Sequence, residues 1–236
     1  MIENILDHLK NTSYPGRGIL IGRNEENTAV YVIYFIMGRS SNSRNRIFSY
    51  TSDGIRTEAY DPSLLEDPSL IIYHPVRQVG DKLVVTNGDQ TDTIRDYLVG
   101  EGTFRDALKT REFEPDIPNC TPRISGIVFP NGDYSLSILK SADNDPSACL
   151  RYFYVYSAPL AGEGRFISTY RGDGNPLPSF TGEPMRVAVS GTLDDYANSI
   201  WDALNEDNKV SLYAGQLDLA TGEIEELVIN KHEQGD

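Results

Sequence analysis

Thr28–Met37, with the sequence TAVYVIYFIM, is a run of β-branched and aromatic side chains that is apolar on both of its faces. Such a run is typical of a strand at the centre of a sheet that is covered on both sides. The run Arg17–Arg23 (RGILIGR) precedes it, and the polar residues Asn24–Asn27 lie between the two. The sequence therefore predicts a hairpin whose second strand is central in its sheet.

The segment that follows directly, Gly38–Arg46 (GRSSNSRNR), contains three arginines. Arginine offers a rigid fork of donors that matches phosphate and carboxylate groups, and serine and asparagine add neutral donors. One interpretation is therefore a loop that binds an oxyanion. The other is a solvated turn whose arginines pair with some of the 35 acidic side chains of the chain.

Strand-like runs dominate both halves of the chain, and helical spacing is confined to Ile2–Lys10, Gly88–Val99, Thr103–Lys109 and Leu193–Asn205. Further strands are predicted for Ile47–Thr51, Arg56–Tyr60, Leu70–Gln78, Lys82–Asn87, Ile124–Phe129, Tyr134–Lys140, Leu150–Tyr156, Phe166–Tyr170, Met185–Val189, Val210–Leu219 and Glu223–Ile229. This order predicts an α+β fold with mostly antiparallel sheets covered by helices. Pro75 predicts an edge strand or a bulge. We expect a single domain over residues 1–236.

Composition excludes several classes of function. The net charge of −14 argues against non-specific binding to nucleic acid or to an anionic membrane surface. No apolar run approaches the roughly 20 residues of a membrane helix, and the N-terminus lacks the pattern of a signal peptide. The two cysteines and three scattered histidines suggest neither a disulfide framework nor a metal site. We expect a cytosolic protein with reduced thiols.

Polar groups at the ends of rigid strands are a common way to build a site, and several polar segments here follow predicted strands. Glu114 and Asp116 are candidate general bases and Arg123 is a candidate phosphate clamp, although an acidic loop with prolines can also be merely solvated. At Asn87–Asp89 the chain passes from a strand into a helix, where backbone N–H groups can receive an anion. The alternative at Asp89 is a plain N-cap.

Tyr73 and Arg77 lie four residues apart in an extended run, and they share a face if Pro75 introduces no bulge. The alternative is a half-buried tyrosine beside a surface arginine. His74 has no obvious acidic partner in the sequence and is interpreted as a packing residue. Cys120 is a candidate nucleophile, but no histidine lies near it in the sequence.

Five segments in series resemble the archaeal-type IMP cyclohydrolase family: YPGRGILIGRN, GRSSNSRNR, IIYHPVR, VVTNGDQTDTI and EPDIPNCTPRISGIV. The resemblance covers about Tyr14–Tyr156, so that the N-terminal helical extension (1–13) and the C-terminal part (158–236) lie outside it. It implies a four-layer α/β/β/α fold like that of the N-terminal nucleophile hydrolases. Their processed nucleophile is not expected, because Ile2 follows Met1.

The resemblance also implies an activity, the closure of the purine ring of IMP from its formylated aminoimidazole carboxamide precursor, FAICAR. It gives Glu114 the acid/base role, and gives Tyr73 and Arg46 the stabilisation and protonation of the formyl oxygen. Substrate binding falls to Arg39, Asn45, Asn87, Gly88, Asp89 and Arg123. The family pattern SSRSFPNR aligns Asn45 and Arg46 directly, whereas Arg39 aligns only with a shift.

The implied partner is a purine nucleotide, with no metal, cofactor or nucleic acid, and a homo-oligomer stays open. Two other functions also stay open at this point. One is a non-catalytic nucleotide-binding or regulatory paralogue that keeps the arginines. The other is a hydrolase of C–N bonds that uses Cys120.

Overall fold

A computed structural model of the chain describes residues 2–65, 71–142 and 145–232. Its helices are α1 (Ile5–Lys10), α2 (Ser41–Arg44), α3 (Gln90–Val99), α4 (Phe104–Lys109) and α5 (Leu193–Ala203), with a 3₁₀ turn at Pro62–Leu64. Its strands are β1 (Arg17–Arg23), β2 (Ala29–Met37), β3 (Ile47–Thr51), β4 (Gly54–Glu58), β5 (Val76–Val79), β6 (Lys82–Thr86), β7 (Arg123–Val128), β8 (Tyr134–Ala142), β9 (Asp145–Tyr156), β10 (Glu163–Ser168), β11 (Met185–Ala188), β12 (Lys209–Asp218) and β13 (Ile224–Asn230).

The strands form two sheets, so the predicted α+β class is confirmed. The first sheet has six strands in the order β11-β10-β1-β2-β12-β13, and the second has seven in the order β3-β4-β5-β6-β7-β8-β9. Neighbouring strands are antiparallel throughout both sheets. β2 pairs with β1 on one side and with β12 on the other. The predicted hairpin and the central position of its second strand are therefore both confirmed.

The residues of β2 alternate between two hydrophobic clusters, because successive side chains of a strand point to opposite faces. Val32, Tyr34 and Ile36 join a cluster with residues of the second sheet such as Phe48 and Val85. This cluster is the core between the two sheets. All nine residues of β2 are buried, which explains why the run is apolar on both faces.

Helices cover the outer faces of both sheets. Residues of α1 and α5, including Leu9 and Ile200, share a cluster with the outward-facing side chains of the first sheet. Residues of α3 and α4, including Ile94 and Leu108, pack on Val84 and its neighbours in the second sheet. None of the helices in the described ranges is long and apolar enough to span a bilayer.

The predicted strand Leu70–Gln78 differs most from the structure. Leu70 lies outside the described residues, and β5 begins only at Val76. The prediction that Pro75 marks an edge or a bulge is wrong, since β5 lies between β4 and β6 inside its sheet. Pro75 stands just before the strand, where its missing N–H costs nothing, and its carbonyl accepts a hydrogen bond from the N–H of Thr86 at 2.7 Å.

Candidate active site

A pocket of about 330 Å³ opens where the start of β1, the segment after β2 and the loop before β7 converge. Its walls are formed by Tyr14, Arg17, Arg39, Ser40, Asn42, Ser43, Arg46, Ile71, Glu114, Asp116, Asn119, Thr121, Tyr170 and Leu177. Both cationic side chains and carboxylates line this pocket. Such a wall can hold a ligand that carries both an oxyanion and hydrogen-bond donors.

Glu114 is one of the carboxylates in the wall, and it is only 4% exposed. Its backbone N–H donates to the carbonyl of Thr121 at 2.9 Å, which fixes the loop on which it lies. Burial raises the pKa of Glu114, while the nearby positive charges of Arg17 and Arg123 oppose that rise. The group is therefore suited to exchange a proton.

Arg46 is the least exposed charged residue of the wall, at 1%. Its Nε donates to the carbonyl of Ser43 at 2.8 Å, and its Nη2 donates to that of Met37 at 3.3 Å. Burial and the charge of Arg17 both lower the pKa of Arg46. The two hydrogen bonds hold the guanidinium in a fixed orientation between the end of β2 and the short helix α2. Ser40 caps the first turn of α2.

Tyr73 is not one of the residues that line the pocket, and it is 5% exposed. Its hydroxyl is 2.9 Å from that of Tyr34, and its backbone N–H donates to Oγ1 of Thr57 at 2.8 Å. Burial and the neighbouring Tyr73 raise the pKa of Tyr34. Arg17 and Arg46 both have Tyr73 as an electrostatic partner, so the structure brings Tyr73 close to the other groups of the site.

Arg39 and Asn45 come from the same segment but play different parts. Arg39 lies at the rim, where its Nη1 is 2.7 Å from Asp173 and its guanidinium stacks 4.9 Å from the ring of Tyr14. Asn45 lies away from the pocket wall. Its side-chain amide donates to the carbonyl of Asp61 at 2.8 Å and accepts from the N–H of Asp61 at 2.7 Å.

Asn87 and Gly88 lie beside Arg123 at the end of β6. The side chain of Asn87 is used by the backbone, since it donates to Pro122 at 2.8 Å and accepts from Ile124 at 2.8 Å. A Cβ at Gly88 would lie 2.5 Å from Nη1 of Arg123 and 3.6 Å from Oε1 of Glu114. Gly88 therefore permits Arg123 to approach Glu114.

Asp89 stands at the N-cap position of α3 but makes no capping hydrogen bond with its side chain. The prediction of a plain N-cap is therefore wrong. Its carboxylate pairs instead with Nη1 of Arg123 at 2.7 Å and with Nη2 of Arg111 at 2.5 Å. Arg123 also donates to Oε1 of Gln90 at 2.7 Å. These contacts hold the guanidinium of Arg123 in a fixed orientation.

Several wall residues were not predicted from the sequence. Arg17 opens the buried strand β1, and its only signal is its place in the family-like segment YPGRGILIGRN. Tyr170 follows β10, and its hydroxyl is 2.6 Å from Oγ1 of Thr121. Thr121 hydrogen-bonds Asp116 through its hydroxyl, and its backbone N–H donates to Oδ1 of the same residue at 2.6 Å. No local pattern joins residues this far apart in the chain.

The structure overturns one interpretation of the sequence, the use of Cys120 as a nucleophile. Cys120 is 2% exposed, and burial together with Asp116 raises the pKa of its thiol, whereas a nucleophilic cysteine needs access and a lowered pKa. The hypothesis of a hydrolase that uses Cys120 as its nucleophile is therefore wrong. His74 has no acidic partner nearby in the sequence, and in the structure its Nδ1 lies 3.9 Å from the carboxylate of Asp92, which comes from α3.

Comparison with known proteins identifies the family of the chain. A family model described as IMP cyclohydrolase-like protein matches residues 14–220. The chain belongs to this family. The match confirms the resemblance predicted from the motifs, and it extends beyond Tyr156 to include β12 of the first sheet. The C-terminal part is therefore within the family match up to residue 220, and β13 lies beyond it.

Archaeal relatives of this chain carry a more specific name. The IMP cyclohydrolase of Methanopyrus kandleri is 32% identical over 169 residues, which are 70% of this chain and 79% of that protein. That of Methanococcus aeolicus is 29% identical over 162 residues, or 66% of this chain and 74% of that protein. That of Methanococcus maripaludis strain C6 is 35% identical over 128 residues, or 51% of this chain and 61% of that protein.

Proposed function

We propose that this protein closes the purine ring of inosine monophosphate from FAICAR with loss of water. The observation that carries the proposal is the buried carboxyl of Glu114 in a pocket with Arg17 and Arg46 in its wall and Arg123 next to it. The family membership and the names of the archaeal relatives support the same reaction.

The reaction asks for a base and for donors around one oxygen. The carboxamide nitrogen of FAICAR must lose a proton as it attacks the formyl carbon, and Glu114 is placed to take that proton. The formyl oxygen gains negative charge as the new C–N bond forms; Arg46 stabilises that charge by hydrogen bonding, and Tyr73 supplies the proton. The hydroxyl then departs as water with the proton that Glu114 took up, while the second proton of the nitrogen returns to Tyr73, which leaves the closed ring and restores both groups.

The pocket favours this chemistry because donors in its wall are held in place before the substrate binds. Donors that are already held in place lose little free energy to reorganisation when charge develops on the substrate. Arg46 is such a donor, since two backbone carbonyls fix its guanidinium. The reaction is intramolecular, so much of the catalysis lies in holding the formyl and carboxamide groups against one another.

The remaining predicted residues divide into two groups in this proposal. Arg39 at the rim and Arg123 beside Glu114 contact the phosphate and the base of the nucleotide. The other four residues support substrate binding indirectly. The side chains of Asn45 and Asn87 hold backbone segments, and the carboxylate of Asp89 holds Arg123. Gly88 lets Arg123 approach its backbone closely.

We also propose that the fold is the four-layer α/β/β/α sandwich of the N-terminal nucleophile hydrolase type, in a single cytosolic domain. Three hydrophobic clusters support the layers, with one between the sheets and one under each set of outer helices.

The test is turnover of FAICAR by purified protein, followed by the ultraviolet change of ring closure. We expect Glu114→Gln to lower kcat by about 10²-fold or more, because the base is lost while the shape is kept. Glu112→Gln is the matched control, since its side chain is 67% exposed and lies two residues away. That control should turn over like the parent protein.

Two outcomes would contradict the proposal. Folded parent protein that binds FAICAR or IMP without turnover would favour the non-catalytic nucleotide-binding paralogue. Turnover that survives in Glu114→Gln would remove Glu114 from the chemistry. Circular dichroism of each variant separates a lost reaction from a lost fold.

A further inference from the structure

Arg17 is a pocket residue to which the proposed reaction gives no role. It is the first residue of β1 and contributes to the wall that contains Glu114. Its Nε is buried and has no hydrogen-bond partner within the described ranges. A buried N–H group without a hydrogen-bond partner costs free energy, so the position of Arg17 calls for a function that would keep it there.

The other arginines around the pocket are each held by partners of their own. Arg39 pairs with Asp173, and Arg123 pairs with Asp89 and Gln90. Arg46 donates to two backbone carbonyls. In the part of the chain that the structure describes, no carboxylate forms a close ion pair with Arg17. Of these four arginines, Arg17 has the fewest partners within the protein, so its charge is the most available to groups in the pocket.

The charges that face Glu114 come from several elements. Arg17 comes from β1, Arg123 from β7 and Arg46 from the segment after α2, and all three favour the ionised carboxylate. Asp116, from the same loop as Glu114, disfavours it. Among these charges Arg17 acts most strongly on Glu114, and Glu114 is in turn the strongest attractive partner of Arg17.

The hydroxyls that face Arg17 are those of Tyr14, Tyr73 and Tyr170. Burial opposes the charge of Arg17, but Glu114 and these tyrosines outweigh it and raise the pKa of the guanidinium. Arg17 therefore stays charged at every pH at which the protein would be assayed. A fixed cation beside a titrating carboxyl is an arrangement that sets when the carboxyl can accept a proton.

We propose that Arg17 is a positioning residue of this site, whose fixed charge keeps Glu114 in the ionised, proton-accepting form at neutral pH. The proposal rests on the proposed function, since it gives Arg17 a part in the same reaction. Arg17 acts through Glu114: it lowers the pH below which the pocket can no longer take a proton from the substrate. Without the cation, burial and Asp116 would act on Glu114 with less opposition.

Neutral substitution should therefore move a titration. In Arg17→Met the pH below which kcat/KM falls should rise by about one unit, and the rate should recover in part at higher pH. Arg17→Lys keeps the charge and should stay within a few tenths of a unit of the parent protein. Arg56→Met is the matched control, because Arg56 is exposed on β4. This variant should leave the pH dependence of kcat/KM unchanged.

The closing experiment titrates Glu114 directly, by NMR of protein labelled with ¹³C at the glutamate carboxyls and without substrate. The signal of Glu114 is assigned by its absence in Glu114→Gln. An upward shift in Arg17→Met, with none in Arg17→Lys or Arg56→Met, supports the proposal. Because this readout needs no FAICAR, it stands even if turnover fails, and turnover without a shift would overturn the role of Arg17 alone.

An unmoved titration in Arg17→Met together with a reduced rate would overturn the proposal, since Arg17 would then act otherwise. Arg17→Gln serves as a second neutral variant if the methionine does not fold. Should both neutral variants fail to fold while Arg17→Lys folds, the charge would be a requirement of the structure, and the proposal would also be overturned.

Discussion

A Cβ at Gly88 would lie 2.5 Å from Nη1 of Arg123 and 2.7 Å from Oε1 of Gln90. Both atoms belong to a buried network, so neither side chain can move without breaking hydrogen bonds. We expect Gly88→Ala to displace Arg123 and to lower kcat/KM by about tenfold or more. Steady-state assay with FAICAR measures this effect, and the melting temperature shows whether the fold survives.

The control for this glycine is Gly172→Ala, where the new Cβ would meet only Cγ2 of Thr12, at 3.9 Å. That distance is an ordinary contact, so the rate should be unchanged. Equal rates for Gly88→Ala and Gly172→Ala would show that the packing of Gly88 against Arg123 has no part in activity.

Only part of the site could be predicted residue by residue. Glu114 and Arg46 were predicted because each lies in a polar segment with a recognisable family pattern. Arg17 and Tyr170 were not, because the structure joins them across 153 residues through the pairing of β1 with β10. Asn45 was predicted to bind substrate, but the sequence could not show that its side-chain amide hydrogen-bonds the backbone of Asp61.

At the scale of elements, the start of α3 is stabilised by ion pairs rather than by a cap. Burial opposes ionisation of Asp89, but Arg111 and Arg123 outweigh it and lower its pKa below the ordinary 3.8. The folded protein therefore holds this proton less tightly than the unfolded chain. The resulting stability is present above the ordinary pKa and is lost as the pH falls through the lowered pKa.

Asp89→Asn should consequently melt at a lower temperature than the parent protein at pH near 7. The difference should shrink as the pH falls below 3.8, where the parent also loses the charge. The effect is modest because the side chain of Asp89 is 48% exposed and salt screens its pairs. Thermal melts over this range measure it.

Asp96→Asn is the control on the same helix, since the side chain of Asp96 is 67% exposed and pairs only at the surface with Arg95. A deficit in Asp89→Asn that stays constant down to low pH would argue against an ionic origin. A deficit equal to that of Asp96→Asn would mean that the pairs with Arg111 and Arg123 do not stabilise α3.

Elements whose signals are local were predicted well. The hairpin of β1 and β2 has a polar turn between two apolar runs, and the structure confirms it. The start of β5 was misplaced, because an apolar run before Pro75 has the composition of a strand without the pairing of one. The segment Gly38–Arg46 was expected to be a loop, and α2 within it is too short to leave a periodic signal.

At the scale of the whole molecule, the single domain predicted from the sequence can be tested with one fluorophore. Trp201, the only tryptophan, lies on α5 and packs with the first sheet. Ile127 lies in the cluster under α3 and α4, on the outer side of the second sheet. If all layers unfold together, a cavity made at Ile127 must also shift the unfolding midpoint that Trp201 fluorescence reports.

Ile127→Ala should lower the free energy of unfolding by about 2–5 kcal/mol, because Ile127 is fully buried. Denaturant titration should show the same shift in Trp201 fluorescence and in far-ultraviolet circular dichroism. Val99→Ala, at a side chain that is 74% exposed, should shift neither. Fluorescence that keeps its midpoint while circular dichroism shifts would divide the molecule into two independent units.

The order of strands in the first sheet also governs when the pocket can exist during folding. β1 and β2 come from the start of the chain, yet their neighbours β10 and β12 come from its last third. Contacts between segments so distant in sequence close large loops, and proteins rich in such contacts fold slowly. On the ribosome, Arg17, Arg39 and Arg46 emerge long before Tyr170 and the strands that enclose them. Until Tyr170 and β12 have been synthesised, the nascent chain carries the cations of its site without the walls that orient them.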